Sequence, residues 1–116
     1  MTLVRISRLK ELLHFSRPVT DVVSDLSDFG WDSDEQLVTL EGTHLSAILN
    51  RFLSGEISAS DVEDWANAIE CREDIGLPED SPVVDALFEL ANPLITRALT
   101  RQSAADWVVA LDRAAT

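Results

Sequence analysis

The chain has 116 residues, a length typical of one domain built around a single hydrophobic core. Hydrophobic residues make up 46% and charged residues 26%, both ordinary values for a globular protein. The balance of charge is unusual, because 21 acidic residues face 9 basic ones and the formal net charge is −12. We therefore expect no nucleic-acid partner, since phosphate binding requires a basic surface, and no anionic membrane partner.

The expected location follows from the N-terminal stretch and the cysteine content. No apolar run approaches the roughly 20 residues of a membrane span. Arg5, Arg8 and Lys10 interrupt the segment where a signal peptide needs an apolar core. Cys71 is the only cysteine, so the sequence offers neither an intrachain disulfide nor a thiolate cluster for zinc. These features predict a reduced, cytoplasmic protein.

Glycines and prolines divide the chain into segments of helical periodicity. The first predicted helix covers about residues 4–15, and the second begins at Pro18 and ends at Gly30. Thr43 is predicted to cap the third helix, for which Gly55 supplies a left-handed stop.

The helix signals continue in the second half of the chain. Ser58 and Asp61 have the spacing of a capping box at the start of a fourth helix. The dipeptide 81–82 (Ser-Pro) opens a fifth helix, and 92–93 (Asn-Pro) breaks it. Thr100 is predicted to cap the last helix. The sequence thus predicts an all-α fold, an irregular bundle of five to six short helices in a single domain spanning 1–116.

The stretch between the second and third helices is the one long segment without helical periodicity. Residues 37–40 alternate in polarity like a short strand. A lone strand of four residues has no partner in this sequence, so we expect extended chain that crosses the bundle.

The apolar stripes predict which side chains form the core. Trp65 and Trp107 lie on apolar helical faces and are expected to be buried. Trp31 stands beside acidic residues, where a lid on the core is favoured over an exposed interface anchor. The residues of the fifth helix predicted to face inward are Val84, Leu87, Phe88 and Ala91.

Negative charge is concentrated in the middle of the chain. Residues 18–96 hold 18 acidic residues against Arg51 and Arg72, a net charge of −16. Folding alone does not require such a block, because repulsion within it costs stability. Solubility is one explanation, and a surface that meets a basic partner is the other.

Two series of acidic residues follow helical spacing. The first, on the predicted fourth helix and opposite Trp65, comprises Glu63, Glu70 and Asp74. The second comprises Asp21, Asp25, Asp28 and Asp32. The two would form one continuous negative surface if their helices lay side by side. The candidate partner-binding residues are Glu63, Asp64, Glu70, Glu73, Asp74, Asp28, Trp31 and Asp32.

Catalytic and cofactor motifs are missing from the sequence. There is no G-x-S-x-G element, no phosphate-binding glycine loop, and no run of residues that completes an EF-hand after Asp32 and Asp34. His14 and His44 are too distant in sequence to make a motif. The prediction is a protein that is not an enzyme and has no cofactor, no metal ion and no catalytic residues. A small enzyme or a divalent-metal-binding protein that uses the carboxylate cluster is the alternative.

One segment resembles known proteins. Residues 44–76, HLSAILNRFLSGEISASDVEDWANAIECREDIG, join an F-L-x-G-E-I-S helix end to a D-x-E-x-W-A helix and an E-x-R-x-D-I tail. This pattern resembles small, acidic, helical bacterial proteins without a characterised function. More loosely, it is similar to the helical immunity proteins that neutralise colicin-type and polymorphic nuclease toxins. That resemblance implies a non-enzymatic protein that binds a basic partner, a toxin domain being the most concrete case.

Overall fold

Six α-helices and two short strands form the described part of the chain, and the predicted all-α class is confirmed. The computed structural model describes residues 2–29, 35–70, 72–78 and 81–115, with the backbone alone at 2, 28 and 115. The helices are α1 (Thr2–His14), α2 (Val19–Leu26), α3 (Gly42–Leu53), α4 (Ala59–Glu70), α5 (Pro82–Ala91) and α6 (Arg101–Ala115). A 3-10 turn, Ser27–Phe29, extends α2, and the strands are β1 (Val38–Thr39) and β2 (Ile75–Gly76). Gly30, the predicted end of the second helix, and Cys71 lie outside the described residues.

Several helix ends form as local sequence predicts. At α4, the Ser58 amide donates to Asp61 Oδ2 at 2.9 Å and the Asp61 amide donates to Ser58 Oγ at 3.1 Å. Before α6, the Ser103 amide donates to Thr100 Oγ1 at 3.1 Å. Gly55 adopts a φ of +83°, a conformation that glycine reaches without strain.

The start of α3 differs from the prediction. Glu41, not Thr43, is the N-cap: its side chain accepts from the amide of His44, and its own amide donates to His44 Nδ1 at 2.9 Å. Thr43 is consequently the second residue of the helix. A histidine in the place usually held by Glu or Gln conceals this capping box from sequence inspection.

Helix α3 lies at the centre of the bundle, in contact with α1, α4, α5 and α6. Helix α4 packs mainly on α5 and also touches α2. Trp65 is fully buried as predicted, and its indole Nε1 donates to the Leu12 carbonyl at 2.7 Å, which ties α4 to α1. Trp107 is only partly buried, and its Nε1 donates to Glu89 Oε2 at 2.6 Å.

The segment predicted to be unpaired has a partner strand. Val38 and Thr39 pair in parallel with Ile75 and Gly76. The Leu37 amide donates to the Asp74 carbonyl at 2.8 Å and extends the contact by one residue. The prediction of a lone extended segment is therefore wrong, because a two-residue strand after α4 has no periodicity that sequence inspection can detect.

Helix α5 is rotated relative to its predicted orientation. Leu87 and Ala91 face inward as expected, but Val84 and Phe88 are 39% and 47% exposed. The residues that fill the core in place of these two are Val83, Ala86 and Leu90. Apolar residues occur on nearly every side of this helix, so its sequence does not define one buried stripe.

The helices of the described residues are too short, or too polar, to span a lipid bilayer.

Candidate functional site

The outer surface of α4 carries several acidic side chains, of which Asp64 shares a pocket with Arg17 and Arg51. The helix contains no Lys or Arg. Glu63, Asp64 and Glu70 are exposed, as is Glu73 just beyond the helix end. Within the described residues, none of these four carboxylates takes part in an ion pair. We call Glu63, Asp64, Glu70 and Glu73 the α4 carboxylates.

The arginines that form ion pairs in the described part of the chain do so with carboxylates outside α4. On the α1–α2 side, Arg17 bridges Glu11 at 3.2 Å and Asp25 at 2.9 Å, and Arg8 also hydrogen-bonds Glu11. The hydrogen bond from Arg8, with further help from Arg17, lowers the pKa of the Glu11 carboxyl. Further ion pairs of the described residues are Arg51–Glu56, Arg97–Glu89 and Arg97–Asp106. Among the described residues, no ion pair involves a side chain of α4.

Asp74 is not part of the exposed series in which the sequence placed it. Its side chain is fully buried. Arg72 binds it in bidentate fashion, with Nε 2.9 Å from Oδ1 and NH2 3.0 Å from Oδ2. Arg5 of α1 adds Nε and NH2 contacts to Oδ2 at 3.0 and 2.9 Å. Because α4 ends at Glu70, the chain turns before Asp74, and helical spacing no longer predicts where that side chain points.

Asp25 of α2 is held in ion pairs, unlike the α4 carboxylates. Its partners are Arg8 of α1 and Arg17 of the connection between α1 and α2. A groove of about 560 Å³ separates α2 from α4, lined by Val19, Thr20, Val23, Ser24, Asp64, Asn67 and Ala68. Apart from Asp64, the lining of this groove is apolar or uncharged. The side chain of Asp28 and all of Trp31 and Asp32 lie outside the described residues.

An apolar strip on α5 and the turn after it has no counterpart in the predictions. Val84 and Phe88 are followed, on the α5–α6 connection, by Leu94 and Ile95, which are 100% and 74% exposed. We call Val84, Phe88, Leu94 and Ile95 the α5 strip. A detectable signal was present in the sequence, since 82–95 contains more apolar residues than one helical face can bury.

The α4 carboxylates and the α5 strip lie on, or just beyond, two helices that pack against each other. On α4, Asp64 and Asn67 line the groove to α2. On α5, Glu89 reaches Trp107 of α6, and Val84 and Phe88 lie on the flank away from α6.

Two histidines that are far apart in sequence meet between α1 and α3. The rings of His14 and His44 are 4.9 Å apart in an edge-to-face arrangement. They line a cavity of about 360 Å³ together with Leu13, Glu41, Thr43, Ala47 and Ile48. Burial, and secondarily the neighbouring His14, lowers the pKa of His44. Across residues 2–29, 35–70, 72–78 and 81–115, no three potential ligand side chains are grouped to hold a metal ion.

Comparison with protein-family models, with curated proteins and with solved structures gave no match.

Proposed function

We propose that this protein is a non-enzymatic binding protein whose α4 carboxylates engage a basic protein. A toxin domain neutralised by an immunity-type complex is the most concrete version. The observation that carries the proposal is the set of exposed carboxylates at Glu63, Asp64, Glu70 and Glu73, which form no ion pair in the part of the chain that the structure describes. The lone cysteine supports a cytoplasmic setting for such a complex.

The stability of α4 does not explain why these positions are acidic. Glu70 stands in the last turn of α4, where a negative charge opposes the helix dipole and costs about 0.3–1 kcal/mol. Asp61 provides the contrast, because it stands in the first turn and completes the cap with Ser58. Glu70 opposes the dipole of its own helix and has no ion-pair partner among the described residues, which suits it to a partner outside the fold.

The net charge of the chain also favours a partner of the opposite sign. The net charge of −12 gives the whole chain a long-range attraction for basic proteins, which raises association rates. Exposed carboxylates at the rim of an interface act chiefly on that rate and on its salt dependence. The alternative, a catalytic or metal site built from the same residues, has no grouping of ligands within the described residues to support it.

The test compares wild type with two variants that remove equal charge. Glu63→Gln with Glu70→Gln removes two α4 carboxylates. Asp21→Asn with Asp112→Asn removes two exposed carboxylates from α2 and α6 and serves as the matched control. Each protein, immobilised, is used to capture proteins from a lysate of its own organism at low and at physiological ionic strength.

We expect wild type and the control to retain a basic protein that the α4 variant releases, with the largest difference at low salt. Identification of that protein as a toxin domain would support the immunity version. Capture that is identical for all three proteins at both salt concentrations would show that the α4 carboxylates are only a solvated surface.

A further inference from the structure

The groove between α2 and α4 combines an apolar lining with hydrogen-bond acceptors. The apolar side chains come from both helices, Val19 and Val23 from α2 and Ala68 from α4. The acceptors are Asp64 and Asn67 of α4, and both residues are exposed. At about 560 Å³, the groove has room for a long side chain of another protein. The proposed function leaves this combination unexplained, because carboxylates that only steer a partner need no apolar surface beside them.

Both acceptors are available to a ligand. Asp64 forms no ion pair within the described residues. Asn67 donates from Nδ2 to the Glu63 carbonyl at 3.0 Å, which leaves Oδ1 as an acceptor with no donor in the part of the chain that the structure describes. Residues three apart on a helix lie on the same side of it, so these oxygens face the groove together.

A second cavity adjoins the groove and contains two arginines. Its volume is about 390 Å³, and Val19, Thr20 and Asp64 line both spaces. Arg17 and Arg51 line the second cavity, but neither forms an ion pair with Asp64. Each is paired with carboxylates outside α4 instead. These carboxylates are Glu11 and Asp25 for Arg17, and Glu56 for Arg51.

The charge next to the groove therefore selects a cation. Glu11 and Asp25 are shared by two arginines, Arg8 and Arg17, so that cluster is neutral, as is the pair of Arg51 with Glu56. Two further carboxylates, Asp61 and Asp64, line the same cavity and form no ion pair within the described residues. They leave a net negative charge, which attracts a positive group and repels an anion.

We infer that the α2–α4 groove binds an arginine side chain of the basic partner. The guanidinium donates hydrogen bonds to Asp64 and to Asn67 Oδ1. The methylene stem lies against Val19, Val23 and Ala68. Arginine suits this site because its stem packs on apolar surface and its planar group offers five N–H donors to several acceptors at once, whereas the ammonium of lysine is more strongly hydrated. This inference rests on the proposed function and names the side chain that one of the α4 carboxylates recognises.

The test uses four small probes, and binding is measured from the amide chemical shifts of the protein on titration. N-acetylarginine amide is the proposed ligand in its simplest form. N-acetyllysine amide changes the cationic group, N-acetylleucine amide removes the charge, and the guanidinium ion removes the stem. Each probe is added at low ionic strength, where contacts between exposed charges are strongest.

Two variants of the groove are compared with matched controls. Asp64→Asn removes the carboxylate, and its control, Glu70→Gln, removes an exposed carboxylate of the same helix that does not line the groove. Ser24→Arg places an arginine of the chain itself in the groove, so that the site is already filled. Its control is Asn50→Arg, an exposed position of α3 that adds the same charge elsewhere.

In wild type, we expect the arginine probe to shift the amide signals of the groove residues and to bind about fivefold more tightly than each of the other three probes. Asp64→Asn and Ser24→Arg should each weaken its binding about fivefold, and both controls should bind it within about twofold of wild type. If Glu70→Gln weakens binding as much as Asp64→Asn, the attraction is general and the inference is wrong. Equally tight binding of the lysine or the leucine probe would also overturn it.

The capture experiment separates this inference from the proposed function, because neither Glu63 nor Glu70 lines the groove. If Glu63→Gln with Glu70→Gln loses the basic partner but Asp64→Asn binds the arginine probe like wild type, the inference is overturned and the proposed function stands. If probe binding depends on Asp64 but capture is identical for all proteins at both salt concentrations, the proposed function fails, and with it the assignment of the arginine to a protein partner.

Discussion

The carboxylates around α1 form ion pairs with arginines, whereas those on the outer surface of α4 form none within the described residues. Glu11, Asp25 and Asp74 each bind two arginines. Glu63 and Glu70, within the described residues, bind none. Since the chain has only nine basic residues, their distribution separates acidic groups that hold the fold together from acidic groups that the fold does not need.

Helix α4 itself has two surfaces of different character. Its inner surface, built around Trp65, is in the core, and its outer surface carries the unpaired charge. Stability and surface charge therefore lie on different sides of one helix, so single substitutions can change one without the other.

Trp65→Ala should give the largest loss of stability. The change empties a fully buried site and removes the bond from Nε1 to the Leu12 carbonyl, so we expect a loss at the upper end of about 3–5 kcal/mol. Urea unfolding measures it. Asn67→Ala on the outer surface is the control and should change the unfolding free energy by less than about 0.5 kcal/mol. Equal midpoints for the two variants would contradict the division of α4 into two surfaces.

Asp74→Asn should give the second-largest loss of stability. The substitution leaves the guanidinium of Arg72 buried without its carboxylate, and we expect a loss of about 3 kcal/mol. The loss is moderated because the Arg5 side chain retains 15% exposure to water. Glu73→Gln, one residue earlier and exposed, is the matched control and should unfold like wild type. If both variants were equally stable, Asp74 would belong with the α4 carboxylates after all.

The junction of α1 with α3 includes the ring contact between His14 and His44. His44 accepts a hydrogen bond at Nδ1 from the Glu41 amide, and protonation of Nδ1 would remove it. Of the charged groups facing this ring, His14 from α1 opposes its protonation and Glu41 favours it, while burial has the largest effect and lowers the pKa. Because the unfolded chain then binds the proton more tightly than the folded one, stability falls as the pH drops below 6.5, the unperturbed pKa of histidine.

The measurement is the difference in unfolding free energy between wild type and His44→Gln from pH 8 to pH 5. Glutamine retains the capping bond and does not titrate, so the variant should lose less stability on acidification. Parallel curves would show that His44 has no role in the acid response.

Local sequence predicted the parts of this fold that depend on neighbouring residues. Ser58 with Asp61 and Thr100 with Ser103 cap helices because both members of each pair lie within one turn. The burial of Asp74 was beyond such reasoning, because it depends on Arg5, which is 69 residues away. The same holds for the pairing of 38–39 with 75–76 and for the contact of His14 with His44.

The candidate site was predicted in part for a similar reason. The exposure of Glu63 and Glu70 follows from the spacing of α4 around Trp65. The exposure of Phe88 depends on how α5 is rotated against its neighbours, and an almost uniformly apolar helix gives no sequence signal for that rotation.

Removal of charge from α4 should have the smallest effect on stability. For Glu63→Gln with Glu70→Gln we expect a change in unfolding free energy within about 0.5 kcal/mol, with an increase favoured because Glu70 opposes the helix dipole. Urea unfolding at low ionic strength measures it. A marked loss of stability would mean that these carboxylates have partners in the fold.

The rate of association between this protein and the basic partner recovered by wild-type capture tests the central claim most directly. Stopped-flow measurements across a range of ionic strengths compare wild type with Glu63→Gln, Glu70→Gln and with the control Asp21→Asn, Asp112→Asn. The account predicts slower association for the α4 variant at low salt, convergence with wild type at high salt, and a smaller effect of the control. Equal rates for the wild type and the α4 variant at every salt concentration would contradict the claim that the α4 carboxylates form a docking surface.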